Sequence, residues 1–170
     1  LKKAQVLAKK NKAQFALCKI LQLMGQTYAE QHQYELASQV LKEAQLIADQ
    51  QNLQTLAMAI LDKLCEVSLE LGDQRQAKVF AFKKRTIAQT LGDTDCINIS
   101  NYLLAKAYLA ENLPDSALSY NTIALNSALH RGRDTIERDI WIQQGAIVGR
   151  QNRAYPALLA LEKAKNSDDK

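Results

Sequence analysis

A 40-residue internal repeat constrains this chain more than any other feature of its sequence. Small residues return at this spacing in two columns: Ala37, Ala77, Ala117 and Ala157, and Gly25, Cys65, Ala105 and Gly145. Columns of small residues at a fixed period are typical of one supersecondary unit repeated along a chain. The sequence therefore predicts a stack of similar units rather than one closed core.

Each repeat contains two stretches with helical periodicity. In the first repeat, apolar and small residues recur at intervals of three and four over about 12–30 and again over about 34–51, as expected for a pair of amphipathic helices. The stripe of the first helix consists of Phe15, Cys18, Leu21, Met24, Gly25 and Tyr28. Valine is scarce and the chain has only two prolines, which favours an all-α fold without strands.

The period also predicts the boundaries of the repeats. Leu1 to Ala8 matches Leu41 to Ala48 at the same 40-residue offset, so 1–11 is expected to be the remnant of a preceding repeat. Four repeats follow at 12–51, 52–91, 92–131 and 132–166, and 167–170 is a polar tail; together they form a single array over 1–170. Connections of two to four residues predict antiparallel neighbours.

Two signals mark the ends of predicted helices. Gly72–Asp73 and Gly92–Asp93 each pair a residue that accepts the left-handed conformation with a carboxylate that can cap the next helix. At the two ends of the array, Leu158 and Leu161 and also Leu1, Val6 and Leu7 lack an apolar neighbour. We expect further repeats, another domain or a second copy to cover them.

Composition and motifs argue against catalysis. The net charge of +4 is mild, and the three cysteines show no pairing or zinc spacing. His32 is predicted in a turn and His130 near a helix end, where a surface or capping role is favoured, and no phosphate-binding, metalloprotease or hydrolase motif occurs. We therefore expect no enzyme activity, no metal and no cofactor.

Three basic groups could contact the phosphates of a nucleic acid: Lys9, Lys10 and Lys12; Lys83, Lys84 and Arg85; and Arg131 with Arg133. No aromatic platform accompanies them, so solvated faces are favoured over nucleic acid. No apolar run is long enough for a membrane span. A cytoplasmic location is expected, or a periplasmic one if a preceding segment carries a signal.

The repeat resembles the tetratricopeptide family. Leu21, Met24, Gly25 and Tyr28, followed by Ala37, Leu41 and Ala44, are similar to its signature, and Trp141, Gly145, Ala157, Leu161 and Ala164 repeat it. Departures from the signature include Asn101 and Asn121 at normally apolar positions, Ser68 in place of the tyrosine, and Lys84 in place of the last alanine. The common unit has 34 residues, and longer units such as these resemble those of bacterial regulatory proteins.

The resemblance implies a right-handed α–α superhelix whose first helices line a concave groove. Carried over by position, the groove residues are Lys19, Gln22, Gln26, Asp62, Glu66, Tyr102, Lys106, Asp139 and Gln143. Tyr102, with Lys106 one turn away, is the expected anchor because tyrosine is enriched at binding hot spots. The set of lysine and asparagine residues that binds a terminal carboxylate in chaperone-cofactor arrays is absent, which argues against that ligand.

Two functions remain open. The first is a scaffold that binds a protein or peptide segment, as part of a larger bacterial regulatory protein. The second is a ligand- or peptide-sensing domain of a transcriptional or two-component regulator. A groove that is merely solvated is the alternative to both.

Overall fold

The computed structural model describes residues 13–129, 134–151 and 154–166, together with Lys3. The regular structure of these residues is helical, with no strand among them, which confirms the all-α prediction. The helices are α1 Gln14–Glu30, α2 Tyr34–Gln50, α3 Gln54–Glu70, α4 Gln74–Leu91, α5 Thr94–Ala110, α6 Pro114–Leu129, α7 Asp134–Arg150 and α8 Ala154–Asn166. Successive helices begin 20 residues apart, which is half of the sequence period.

The chain forms two compact units, Leu1–Gly92 and Asp93–Lys170. In the first unit α2 packs against α1 and α3, α3 packs against α4, and α1 also touches α3. In the second unit α5 to α8 repeat this order of contacts. The division into four repeats stays a prediction, and the proposed remnant at 1–11, except Lys3, and the tail at 167–170 lie outside the described residues.

Each of the first five helix-to-helix connections contains one residue with a left-handed backbone. Positive φ angles occur at His32, Asn52, Gly72, Gly92 and Asn112, again at 20-residue intervals. At Gly72 the next amide, Asp73 N–H, donates back to the carbonyl of Ser68 over 2.8 Å, a bond that satisfies a helix-end carbonyl. The Asp73 carboxylate then accepts from Gln76 N–H, and the Asp93 carboxylate accepts from Cys96 N–H. Gly72–Asp73 and Gly92–Asp93 are thus confirmed as the end of one helix and the cap of the next.

The columns of small residues lie where helices approach closely. Ala37, Ala77 and Ala117 are fully buried, as are Cys65 and Ala105. A Cβ atom placed on Gly25 would lie 2.4 Å from the Cγ of Leu41, and one on Gly145 would lie 3.0 Å from the Cγ of Leu161. These glycine–leucine pairs occupy equivalent places in the first and last predicted repeats, so the same close packing recurs in each unit.

Two sequence expectations are wrong. Phe15, assigned to the apolar stripe of α1, is 63% exposed, because it lies in the first turn of the helix, before the stripe reaches the core. Lys84, assigned to a solvated basic group, has a side chain only 1% exposed, because it occupies the buried column of Ala44 and Ala124. By contrast, Leu158 and Leu161 are 61% and 47% exposed, as predicted for an uncovered end.

Candidate functional site

The groove residues predicted in the first unit lie on α1 and α3. Their spacing of three and four residues places Lys19, Gln22 and Gln26 on one face of α1. Lys19 is exposed and Gln26 is half-buried, whereas Gln22 is only 6% exposed. Among the described residues no group donates to the Oε1 atom of Gln22. The α1 face therefore combines an accessible cation with a buried acceptor.

A cavity of about 530 Å³ opens between α1 and the start of α3. Its lining consists of Phe15 and Lys19 from α1 and Asn52, Leu53, Gln54, Thr55, Leu56 and Ala59 from the α2–α3 connection and α3. Leu56 is buried, while Phe15 and Lys19 are exposed. The cavity has an apolar floor and an amphipathic rim, and its volume lies within the ~300–1,000 Å³ that is typical of ligand sites.

The α3 residues beyond the cavity are bound by internal ion pairs. Lys84 of α4 donates through Nζ to the Asp62 carboxylate, whose side chain is 29% exposed. Lys63 donates to Glu66 over 2.7 Å at the surface. Burial raises the pKa of Asp62 above its ordinary value of 3.8, and the Lys84 charge opposes that rise. Asp62, a predicted groove residue, thus compensates a buried cation.

The four predicted residues of the second unit are in unlike surroundings. Tyr102 is half-buried and packs against a cluster formed by Ala124, Leu125 and Ile140. Lys106 and Asp139 are exposed, and the Oδ1 atom of Asp139 lies 3.6 Å from the Nη2 atom of the preceding residue, Arg138. Gln143 is only 7% exposed. The binding roles of all nine predicted residues stay predictions.

The titratable side chains form no evident reactive centre in the part of the chain that the structure describes. No group of three metal-binding side chains occurs there. Cys18 is buried, its thiol lies 3.3 Å from the Ala44 carbonyl, and burial raises its pKa, which disfavours the nucleophilic thiolate. His32 lies at the surface and pairs with the Tyr34 hydroxyl over 2.8 Å. No described helix is both long and apolar enough to cross a bilayer.

Sequence reasoning missed the cavity and the buried ion pair. The signal for the ion pair was the column Ala44, Lys84, Ala124 and Ala164, in which one long cation replaces small residues. The only signal for the cavity was the expectation that Lys19 lines the groove, because the volume depends on where Phe15 and Ala59 leave space unfilled.

These features define a class of protein: an all-helical repeat protein built from antiparallel helix pairs, with an open cavity between α1 and α3. The chain matches no protein-family model and no curated protein sequence.

Two solved structures share the fold. The crystal structure of BtubC from P. vanneervenii has a TM-score of 0.80 at 18% identity, over 92% of this chain and 65% of that chain. The second is a Signal Transduction ATPase with Numerous Domains (STAND) protein with a tetratricopeptide repeat sensor, from Pyrococcus horikoshii. Its TM-score is 0.79 at 21% identity, over 91% of this chain and 24% of that chain. The chain thus spans less than two thirds of either protein, and at these identities the similarity concerns the fold alone.

Proposed function

We propose that this chain is a non-catalytic, tetratricopeptide-like scaffold that binds a protein or peptide segment along α1 and α3. The observation that carries the proposal is the cavity of about 530 Å³ between these helices, with Phe15 and Lys19 at its rim. A rigid helical wall supports the cavity, because α1 and α3 are both anchored in one buried cluster. The proposal places the chain within a larger bacterial regulatory protein.

The surroundings of the cavity suit an extended segment more than an isolated small molecule. Asp62 and Glu66 continue the α3 face beyond Ala59. Gln22 and Gln26 continue the α1 face beyond Lys19. An apolar side chain in the cavity would place its neighbours beside these polar groups.

The test is selection of a displayed random-peptide library on the purified chain. Ala59→Phe fills the cavity without removing charge, and Lys19→Glu reverses the rim cation. Lys42→Glu on the exposed face of α2 is the matched control for the charge change. Peptides should be enriched on the native chain and on Lys42→Glu, and lost from both cavity variants. Equal enrichment on all four proteins, or none on the native chain, would contradict the proposal.

A sensor domain is the second candidate, because the volume of the cavity also suits a small ligand and the P. horikoshii neighbour carries a tetratricopeptide repeat sensor. A sensor must change shape when it binds, whereas a scaffold need not. Hydrogen exchange with and without the selected peptide separates the two. Altered protection in α4, which does not line this cavity, favours the sensor, and changes confined to α1 and α3 favour the scaffold.

A further inference from the structure

A second cavity in the first unit shares three lining residues with the cavity between α1 and α3. The second cavity has a volume of about 200 Å³, and its lining consists of Ala48, Asp49, Asn52, Leu53, Gln54, Ala57, Lys83 and Ile87. Asn52, Leu53 and Gln54 also line the first cavity. The other lining residues differ, because the first cavity includes α1 whereas the second includes α2 and α4. Residues 52–54 therefore form a ridge between the two cavities.

Backbone hydrogen bonds and core packing hold this ridge in place. Asn52 N–H donates to the Asp49 carbonyl over 3.2 Å, and Leu53 N–H donates to the Ala48 carbonyl over 2.8 Å. The Leu53 side chain packs against the buried cluster of this unit, whereas Asn52 and Gln54 are exposed. A segment that reaches from one cavity to the other therefore has to pass over the ridge, because these contacts fix its backbone.

The second cavity has an apolar floor and a charged rim. Ala48 and Ala57 are 1% and 3% exposed, and Ile87 is half-buried. At the rim, the Nζ atom of Lys83 donates to the Asp49 carboxylate over 2.6 Å, so the two charges compensate each other. The volume is smaller than the ~300–1,000 Å³ that is typical of independent ligand sites. The second cavity thus suits one apolar side chain of a partner that is bound elsewhere as well.

We propose that the segment bound in the first cavity crosses the ridge and inserts a second, smaller apolar side chain into the second cavity. This inference rests on the proposed function and specifies the partner of that site. The ridge lies at the start of α3, at the end of the first cavity opposite to Asp62 and Glu66. The exposed Lys19 cation at the first rim favours an acidic residue beside the first apolar anchor.

The width of the ridge sets the spacing of the two anchors. An extended chain rises about 3.3 Å per residue. A ridge about as wide as a helix, ~10 Å, separates the anchors by about three or four residues of an extended segment. The partner is therefore an extended peptide with a large apolar residue, an adjacent acidic residue, and a smaller apolar residue at this distance.

The experiment uses the complete chain and a fluorescein-labelled peptide that was selected on it from the displayed random library. Ile87→Phe reduces the volume of the second cavity. Lys83→Phe places a ring at its rim, where the native side chain is 42% exposed, and decides the test alone if Ile87→Phe does not fold. Ile123→Phe, at a position of α6 that is 46% exposed, is the matched control. Fluorescence anisotropy gives the dissociation constants, and thermal melts establish that each variant is folded.

Both second-cavity variants should weaken binding by about tenfold or more, as the loss of an apolar anchor does. The control should change binding by less than about twofold. Glycine at the second anchor of the peptide should weaken binding to the native chain to a similar extent and cause no further loss on Ile87→Phe. This double-mutant cycle isolates the contact between the second anchor and the second cavity.

A peptide that loses binding on Ala59→Phe and keeps it on both second-cavity variants would overturn this inference and leave the proposed function intact. A selection that enriches no peptide would overturn both. Direct contact with Lys83 and Ile87 should also slow hydrogen exchange in α4, with the selected peptide and not with its glycine variant. Equal changes in α4 with both peptides would contradict direct contact and favour the sensor.

Discussion

The ion pair between Lys84 and Asp62 gives the sharpest test of how the first unit is stabilised. Lys84 lies within the protein with its side chain 1% exposed, and Asp62 is 29% exposed. An uncompensated buried charge is costly, and breaking such a pair by removing one partner typically costs ~3–5 kcal/mol. Asp62→Asn keeps the shape of the side chain and removes the charge that compensates Lys84.

We expect Asp62→Asn to lower the free energy of unfolding by about 3 kcal/mol, at the lower end of that range because Asp62 is partly solvated. For a chain of this length that is roughly 6–12 °C in melting temperature. Lys84→Met should cost less than Asp62→Asn. The carboxylate left behind can reach water, whereas the lysine left by the opposite change lies in the core, where it must deprotonate or force the helices apart.

The combined variant Asp62→Leu with Lys84→Met separates pairing from packing. Replacing a buried ion pair by apolar groups of similar volume is often neutral or stabilising, so we expect the double variant to lie within about 1 kcal/mol of the native chain. Glu66→Gln is the matched control, because it breaks the surface pair with Lys63 on the same helix. Exposed pairs contribute at most about 1 kcal/mol.

Urea unfolding followed by circular dichroism gives these energies from the midpoint and slope of each transition. The reasoning fails if Asp62→Asn costs no more than Glu66→Gln. It also fails if the double variant is less stable than Asp62→Asn, because the loss would then come from packing around Lys84 and not from its charge.

Three further results are expected. Gly25→Ala should lower stability by ~1–3 kcal/mol, because its Cβ would overlap Leu41, whereas Gly149→Ala, with nothing within 4 Å, should raise it by up to about 1 kcal/mol; thermal melts compare the two. Ala117→Leu should overpack a fully buried position and cost ~1–3 kcal/mol, and an unchanged melting temperature would show that the small column tolerates volume. Burial raises the pKa of Asp62 above 3.8, and the charge of Lys84 opposes that rise. NMR titration of the carboxyl should give a midpoint above 3.8 that rises further in Lys84→Met, and a midpoint at or below 3.8 would refute it.

Much of the fold could be predicted because the same two-helix pattern recurs in each 40-residue repeat. The helical stripes predicted the first two helices to within two residues, and Gly72 and Gly92 predicted two of the turns. The turns at His32, Asn52 and Asn112 have the same left-handed backbone but lack glycine. Asparagine and histidine are enriched in that conformation without requiring it, so their position in the period indicates the turn more reliably than their identity does.

The site was less predictable, because it depends on volumes and partners that no single position encodes. Tyr102 was expected to be a binding anchor, yet it packs against Leu125 and Ile140, so Tyr102→Ala would weaken the fold and any binding together. Gln22 and Gln143 were expected to be accessible, but both are less than one-tenth exposed. A groove assigned by analogy places each residue on a helix and leaves side-chain burial undetermined.

Residues that depart from the repeat pattern show whether the place of a residue in the repeat or its polarity determines its burial. Position decided burial at Lys84 and Asn121, where a polar residue entered a column of small or apolar residues, and in each case a neighbouring helix supplies the compensating group. Compensation lies about 20 residues away in sequence, on the helix packed against the departure. At these two positions a polar residue in the column has a polar partner about half a period away, whereas the amide of Asn101, also fully buried, has no hydrogen-bond partner among the described residues.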